Sequence, residues 1–385
     1  MLFRLWEASR DAVAPVSKVG DWWLVADHAL VRRVLTDPVT FRPDNALDAV
    51  TPIPVVALRI LARHGFRLPP TLANNGTSSH PGLRRIVGDA LHPTRVAEQR
   101  PWFTGVVRRR ALRIAAALRE GESVDLHAEI SYDLPLRVLG RLVTLPDEHV
   151  ELLKEFSAAA LELFWAPVTE ARQRQLADLV GDVHARLRAF VRTGPGLVAQ
   201  LREHAERTGL HEDHVVGVLF FLLVAGQETT SQFLTLMLHR LISESAVLDA
   251  VASGAAEISD VVEESLRLEP PIVSWRRVTA DDVVLGPASI PKGSTVVLWL
   301  AAAGRDPAVV AEPSRLVPGQ TGSRRHLAFG AGAHRCLGAQ LARMEAGVVL
   351  EELAPLLRQC HVVRAPCCPD NLSFRMPDTL VVRRS

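Results

Sequence analysis

The stretch His326-Leu-Ala-Phe329-Gly330-Ala-Gly332-Ala-His334-Arg335-Cys336-Leu-Gly338 decides how this chain reads. It joins one cysteine to a backbone that must bend sharply, with an apolar helix directly behind it. Gly330 and Gly332 admit positive φ and a tight turn, and Gly338 lets a flat ligand or a neighbouring chain come close without a Cβ in the way. Beyond it Leu341, Met344, Val348 and Leu350 recur at helical spacing, which places Cys336 at or just before a helix N-terminus. Free N–H groups and the positive end of the helix dipole favour a thiolate there. Taken alone, the cysteine fits a buried, inert side chain in a Gly-rich loop equally well. Zinc fits poorly, because no second Cys stands at C-x-x-C spacing and His334 alone is too few ligands.

The bulk numbers narrow the setting. A chain of 385 residues without a Gly/Ser-rich or Pro-rich linker is expected to form one domain over 1–385, large enough for an interior cavity. A net charge of +1 and 48% hydrophobic residues exclude a disordered chain and give a nucleic acid nothing to bind. Cysteines at 336, 360, 367 and 368 do not make a disulfide framework, so a reducing cytoplasm is expected. Cys360, His361, Cys367 and Cys368 are too irregularly spaced for a metal site and read as structural. The start, Met1-Leu-Phe-Arg-Leu-Trp6, carries no apolar leader. The longest apolar run, Val215 to Gly226, falls short of the roughly 20 residues of a membrane span, so no membrane is expected.

Along the chain, Val/Trp-rich strands around Val19-Gly20-Asp21 lead to a helix from Ala29 to Leu35, ended by Asp37-Pro38. Residues 43–79 are broken by Pro and Asn around one amphipathic piece, Val55 to His64, and read as a binding loop or lid. His80 opens a helix, with Arg84 on the same face. Helices are then expected over Trp102–Leu118, Ala128–Leu142, Asp147–Leu163, Glu170–Arg192 and Pro195–Arg207, with breaks at Gly121, Pro146, Pro167 and Gly194. A long helix follows, capped by Asp213 and running to about Arg240, roughly 40 Å. Its first half is apolar on every side, so it must be buried. At its centre, Ala225-Gly226-Gln227-Glu228-Thr229-Thr230 puts an acid and two hydroxyls where unpartnered polar groups are costly. Thr229 bonding back to the preceding turn, with Glu228 on an Arg, is one account of them; a chemical role is the other.

Phe329-x-x-Gly332-x-His334-x-Cys336-x-Gly338 resembles the haem-binding signature of the cytochrome P-450 monooxygenases, in which the single Cys is the axial thiolate of the haem iron. The resemblance implies a mainly α (α+β) fold, with small antiparallel sheets around a buried haem b bound through Cys336. It continues along the chain. His80 and Arg84 match a His-x-x-x-Arg pair that reaches the haem propionates, a role suited to the bidentate fork of Arg. Residues 225–230 resemble the Ala-Gly-x-(Asp/Glu)-Thr-Thr oxygen-activation element: Gly226 opens a groove for O2 beside Ala225, Thr229 holds a hydroxyl near the distal oxygen, and Glu228 relays protons. Glu264 and Arg267 match a buried Glu-x-x-Arg pair joined by an Arg at Arg315. Arg277, with Arg276 beside it, matches a propionate ligand. His326, Phe329, Gly330, His334 and Gly338 surround the cofactor. Phe221, Val224, Ala225, Val273 and Trp275 are the implied, largely apolar, substrate pocket.

The activity implied is insertion of one atom of O2 into a hydrophobic small molecule, by hydroxylation or epoxidation, in bacterial secondary-metabolite biosynthesis. Oxidative coupling, peroxide-driven oxidation and non-catalytic gas or ligand binding are the rivals; the retained Glu228-Thr229 pair speaks against them. Electrons are expected from a separate ferredoxin and ferredoxin reductase, with Arg85, Arg335 and Arg343 as candidate docking cations. A carrier protein presenting the substrate fits the same picture, and the chain is expected to be a monomer.

Overall fold

The computed structural model describes residues 2–8, 13–145 and 149–385. Its N-terminal hairpin pairs β1 (Val16–Val19) with β2 (Trp22–Val25), followed by α1 (His28–Thr36), whose first turn is capped by Asp27 accepting from the Leu30 N–H. After β3 (Phe41–Arg42), the amphipathic piece of the irregular segment is α2 (Val55–Arg63). The helical body comprises α3 (His80–Ala90), α4 (Pro93–Arg119), α5 (Leu134–Val143), α6 (Val150–Trp165), α7 (Glu170–Thr193), α8 (Leu197–Thr208), α9 (Glu212–Ser243), α10 (Ser245–Ala252) and α11 (Ile258–Leu268), with β4 (Val124–Asp125) between α4 and α5. Then come β5 (Ser274–Thr279), β6 (Val283–Leu285), β7 (Ala288–Ile290), β8 (Thr295–Trp299), the short α12 (Leu300–Ala303), α13 (Ala339–Leu357), β9 (Cys360–Arg364) and β10 (Val381–Arg384).

Among the described residues the result is a helical body with three small sheets, as the resemblance implied. The largest sheet has the order β1-β2-β8-β5-β3, antiparallel except where β2 and β8 run parallel; β4-β10-β9 and β6-β7 form the others. The core is carried by α9, which packs on α5, α6, α7 and α8. By length and composition α9 could cross a bilayer, which its short uninterrupted run did not suggest, but 72% of its apolar window is buried in the protein.

Several boundaries differ from expectation for local reasons. The helix expected from Trp102 starts at Pro93 and runs through Pro101, which is exposed, so water can meet the carbonyl that loses its partner. The helix expected over 128–142 is broken into a π-turn, His127–Ser131, and α5. Between them Asp133 is claimed by Arg110 Nη1 and Arg137 Nε, both at 2.6 Å. The cap of α9 is His211, whose Nδ1 accepts from the Asp213 N–H at 3.2 Å; Asp213 itself lies in the first turn. Pro146 and Asp147 lie outside the described residues.

Candidate functional site

A cavity of about 1330 Å³, part of it open to solvent, lies between α9 and the loop that leads into α13. Cys336 is deep in the protein, yet its surface is accessible because it faces this cavity. Its N–H donates to the Phe329 carbonyl at 2.9 Å, which closes the loop on itself. Gly332 has φ +69°, and a Cβ there would stand 2.6 Å from the Leu35 carbonyl at the end of α1, so no larger residue fits. Burial pushes the Cys336 thiol up, against the Gly338 N–H and the cations Arg84, Arg335 and Arg343, which pull it down. Burial wins, so the helix end alone does not make the thiolate that the sequence suggested. A metal cation bound at the sulfur would favour the thiolate.

One edge of the cavity is cationic. Strand alternation decides which arginine belongs to it: Trp275 and Arg277 are two apart on β5 and both line the cavity, whereas Arg276 points the other way and donates to the carbonyls of Ala46 (3.2 Å) and Asp48 (2.6 Å). Arg277 is 1% exposed; Nη1 donates to the Arg276 carbonyl at 2.8 Å, its Nε has no partner, and burial lowers its pKa to about 10. Among the described residues no carboxylate pairs with it. Arg84 joins the same wall, its Nη2 donating to the Arg335 carbonyl at 2.5 Å. His334 bonds the Leu72 carbonyl through Nδ1 at 3.1 Å and packs on His80, ring centroids 4.3 Å apart; the buried His80 Nε2 has no partner. Burial, helped by His80, Arg277 and Arg84, takes His334 down to about 4. A buried cation without an anion is costly, so this edge is built for an anionic ligand. A flat macrocycle with two carboxylates on one edge and a metal facing Cys336 meets every demand of the wall: the residues fit haem b.

Opposite the cysteine, Thr229 lines the cavity and its Oγ1 donates to the Ala225 carbonyl at 2.7 Å. The hydroxyl proton is thereby engaged, which leaves oxygen lone pairs to accept from a group in the cavity. The back-bond does not break α9. Gly226 also lines the cavity, and a Cβ on it would stand 3.0 Å from Leu139 Cδ2, so this glycine also allows α5 to pack close. Glu228 pairs with a lysine rather than an arginine: Lys154 Nζ lies 2.5 Å from its Oε1. Gln227 ties the pair together, accepting from Lys154 Nζ at 2.9 Å and donating to Glu228 Oε1 at 3.0 Å. Lys154 is 2% exposed and its ammonium lies 4.8 Å from the centre of the Tyr132 ring. The sequence reading missed it, although it is one of three lysines in an Arg-rich chain and sits in an apolar helix.

Phe221, Ala225, Trp275, Phe329, Gly330 and Gly338 also lie in the wall. Four residues expected there do not: His80 is buried behind His334, on which it packs, and the other three lie elsewhere. Val224 is buried in the main core, Val273 packs in a separate cluster with Leu24 and Trp299, and His326 turns away to bond Glu263. Leu72 and Ala73, from the irregular segment, line the cavity without having been singled out by any motif. Trp275 stacks on Trp165 at the end of α6, with centroids 6.2 Å apart, and Phe374 meets Trp165 edge-on at 5.0 Å. Behind the Cys loop, Arg267 grips Glu264 through Nε (2.8 Å) and Nη2 (2.7 Å). Arg315 contributes its carbonyl to Arg267 at 2.9 Å, while its exposed guanidinium faces Glu312; Gln320 Nε2 takes the place expected for it on Glu264.

The sequence model of the family described as cytochrome P-450 matches residues 258–366. Erythromycin C-12 hydroxylase of Saccharopolyspora erythraea is 30% identical over 341 residues, 86% of this chain and 81% of that protein. Cyclomarin C epoxidase CymV of Salinispora arenicola is 32% identical over 356 residues, 88% of each. Among solved structures, cytochrome P-450 CREJ in complex with (4-ethylphenyl) dihydrogen phosphate superposes with a TM-score of 0.92 at 26% identity, covering 97% of this chain and 95% of that one.

Proposed function

The chain belongs to the cytochrome P-450 family, and from that premise we propose how its own residues carry out the reaction. It is a haem-thiolate monooxygenase that places one atom of O2 in an organic substrate and releases the other as water, using two electrons and two protons. Bound haem supplies the activation of O2. Cys336 would hold the iron through its sulfur. Arg277, Arg84 and His334 would hold the propionates, with His80 packed behind His334, and the observation that carries this reading is the buried Arg277 in the same cavity as Cys336, with no acid to pair with among the described residues. Across the cavity Glu228 would pass protons inward, and Thr229, whose own proton is held by the Ala225 carbonyl, would accept a hydrogen bond at Oγ1 from the proton-carrying group and hold it in place. Lys154 and Gln227 keep the Glu228 carboxylate in place between turnovers. Thr229→Ala is expected to leave NAD(P)H consumption running while product per NAD(P)H falls about tenfold, less than a full proton-transfer loss because water partly takes over. An unchanged ratio would remove the role.

The substrate reading is a hydrophobic secondary metabolite. Phe221, Trp275 and Leu72 give the pocket an apolar wall, and the hydroxylase and epoxidase that match are bacterial enzymes of this kind. A cytoplasmic enzyme fed by a ferredoxin and its reductase agrees with that kinship; Arg85 and Arg335 are exposed for docking, whereas Arg343 is held by Glu263. In a spectral screen, apolar natural-product scaffolds are expected to shift the Soret band by displacing water, with charged analogues inert. A response confined to the charged set would overturn the assignment.

A further inference from the structure

Glu263 has no part in the roles above, yet behind the Cys loop its carboxylate is gripped by two side chains at once, Arg343 and His326. It is 3% exposed. Arg343 closes on it with Nε on Oε1 and Nη2 on Oε2 (3.0 Å), and His326 Nε2 meets Oε2 at 3.1 Å. Because His326 Nδ1 accepts from the Ala328 N–H at 3.3 Å, the ring carries its proton on Nε2 and donates it to Glu263. Burial alone would raise the Glu263 pKa, but the bonds from His326 and Arg343 outweigh it and hold the group near about 2, a fixed anion.

Both partners of Glu263 lead to the cysteine. The Arg343 guanidinium lies 4.6 Å from the centre of the Phe329 ring, and the His326 ring centroid is 5.8 Å from the same ring. The Phe329 carbonyl in turn accepts the Cys336 N–H. Arg343 is also one of the three cations that act on the Cys336 sulfur. Its charge, unlike that of Arg335, is matched at contact by a buried carboxylate.

We propose that Glu263 is a positioning and tuning residue for the Cys336 ligand: it fixes the two groups that pack on the ring of Phe329, the residue whose backbone carbonyl holds the Cys336 N–H, and it cancels the Arg343 charge that would otherwise draw electron density from the sulfur. This rests on Cys336 being the iron ligand. The charge part makes a signed prediction: an uncompensated cation near the thiolate attracts the reduced centre, which carries one positive charge less, and weakens sulfur donation to the oxidised one, and both raise the reduction potential.

The test is spectroelectrochemical titration of purified holoenzyme, with the CO-bound ferrous spectrum of each sample recorded alongside. Glu263→Gln is expected to shift the midpoint potential positive, Arg343→Gln to shift it negative, and the double variant to return it towards the parent value. A structural tie alone would give shifts of one sign, or none, and would overturn the proposal. If Glu263→Gln does not retain haem, Arg343→Gln, at a partly exposed site, decides alone: an unmoved or raised potential overturns it. If the parent enzyme itself lacks the red-shifted thiolate band, it is the ligand assignment that fails, and the two failures are told apart.

Discussion

Cys336→Ser is expected to abolish the red-shifted Soret band of the CO-bound ferrous protein and to reduce substrate oxidation to background. Serine is close to cysteine in size, and the backbone bond from the residue 336 N–H to Phe329 does not depend on the side chain, so the fold should persist. What goes is the soft, polarisable anion that iron selects. No other cysteine can substitute: Cys360 lies in β9, and neither Cys367 nor Cys368 reaches the cavity. The check is the CO difference spectrum beside a melting curve. A variant that melts as the parent does and still shows the thiolate band would disprove the ligand.

Arg267→Met is expected to act on folding instead. Glu264 is 0% and Arg267 1% exposed, and beyond the carboxylate Arg267 donates to the carbonyls of Gly304 (3.1 Å), Pro313 (2.6 Å) and Arg315 (2.9 Å). Breaking a buried pair from one side leaves a buried charge, at a cost of about 3–5 kcal/mol, to which the orphaned carbonyls add. Against a total stability of about 5–15 kcal/mol, most of the margin goes. Little soluble, haem-loaded protein is expected, and what is recovered should melt well below the parent. Melting within a few degrees of the parent would refute the structural role. Gln320→Ala removes one bond to Glu264 and should be much milder.

Much of this was legible in the sequence wherever chemistry is written locally. The Cys loop, the acid–threonine segment of α9 and the Glu-x-x-Arg pair each lie within one short stretch, so residue order alone implied their neighbourhood. The choice between Arg276 and Arg277 was also within reach, because Trp275, read as a pocket residue, shares a strand face with Arg277 and not with Arg276. What stayed hidden depends on contacts between distant segments. Nothing near Glu228 in sequence announces Lys154, from a different helix. His326 resembles a cofactor ligand by position, and only the packing of α11 against the loop turns it to Glu263. The third partner of Glu264 came from Gln320, not from Arg315, because the loop presents the Arg315 carbonyl inward and its guanidinium to solvent. The break at Asp133 was lost for the same reason, since the cation that claims it with Arg137 is Arg110 on α4.

The helix α6 carries Lys154 near one end and Trp165 at the other, 11 residues along by number, so a single rigid rod touches both Glu228 and the stacked wall of Trp275. With Glu228 as the proposed proton relay and Trp275 in the proposed substrate wall, breadth of substrate and economy of reductant become mechanically linked. Any adaptation that tilts α6 outward to admit a bulkier molecule also slackens the grip on Glu228, the carboxylate proposed to carry protons. Variants selected for larger substrates should waste more NAD(P)H, unless the room is made by trimming Trp275 and leaving α6 where it stands.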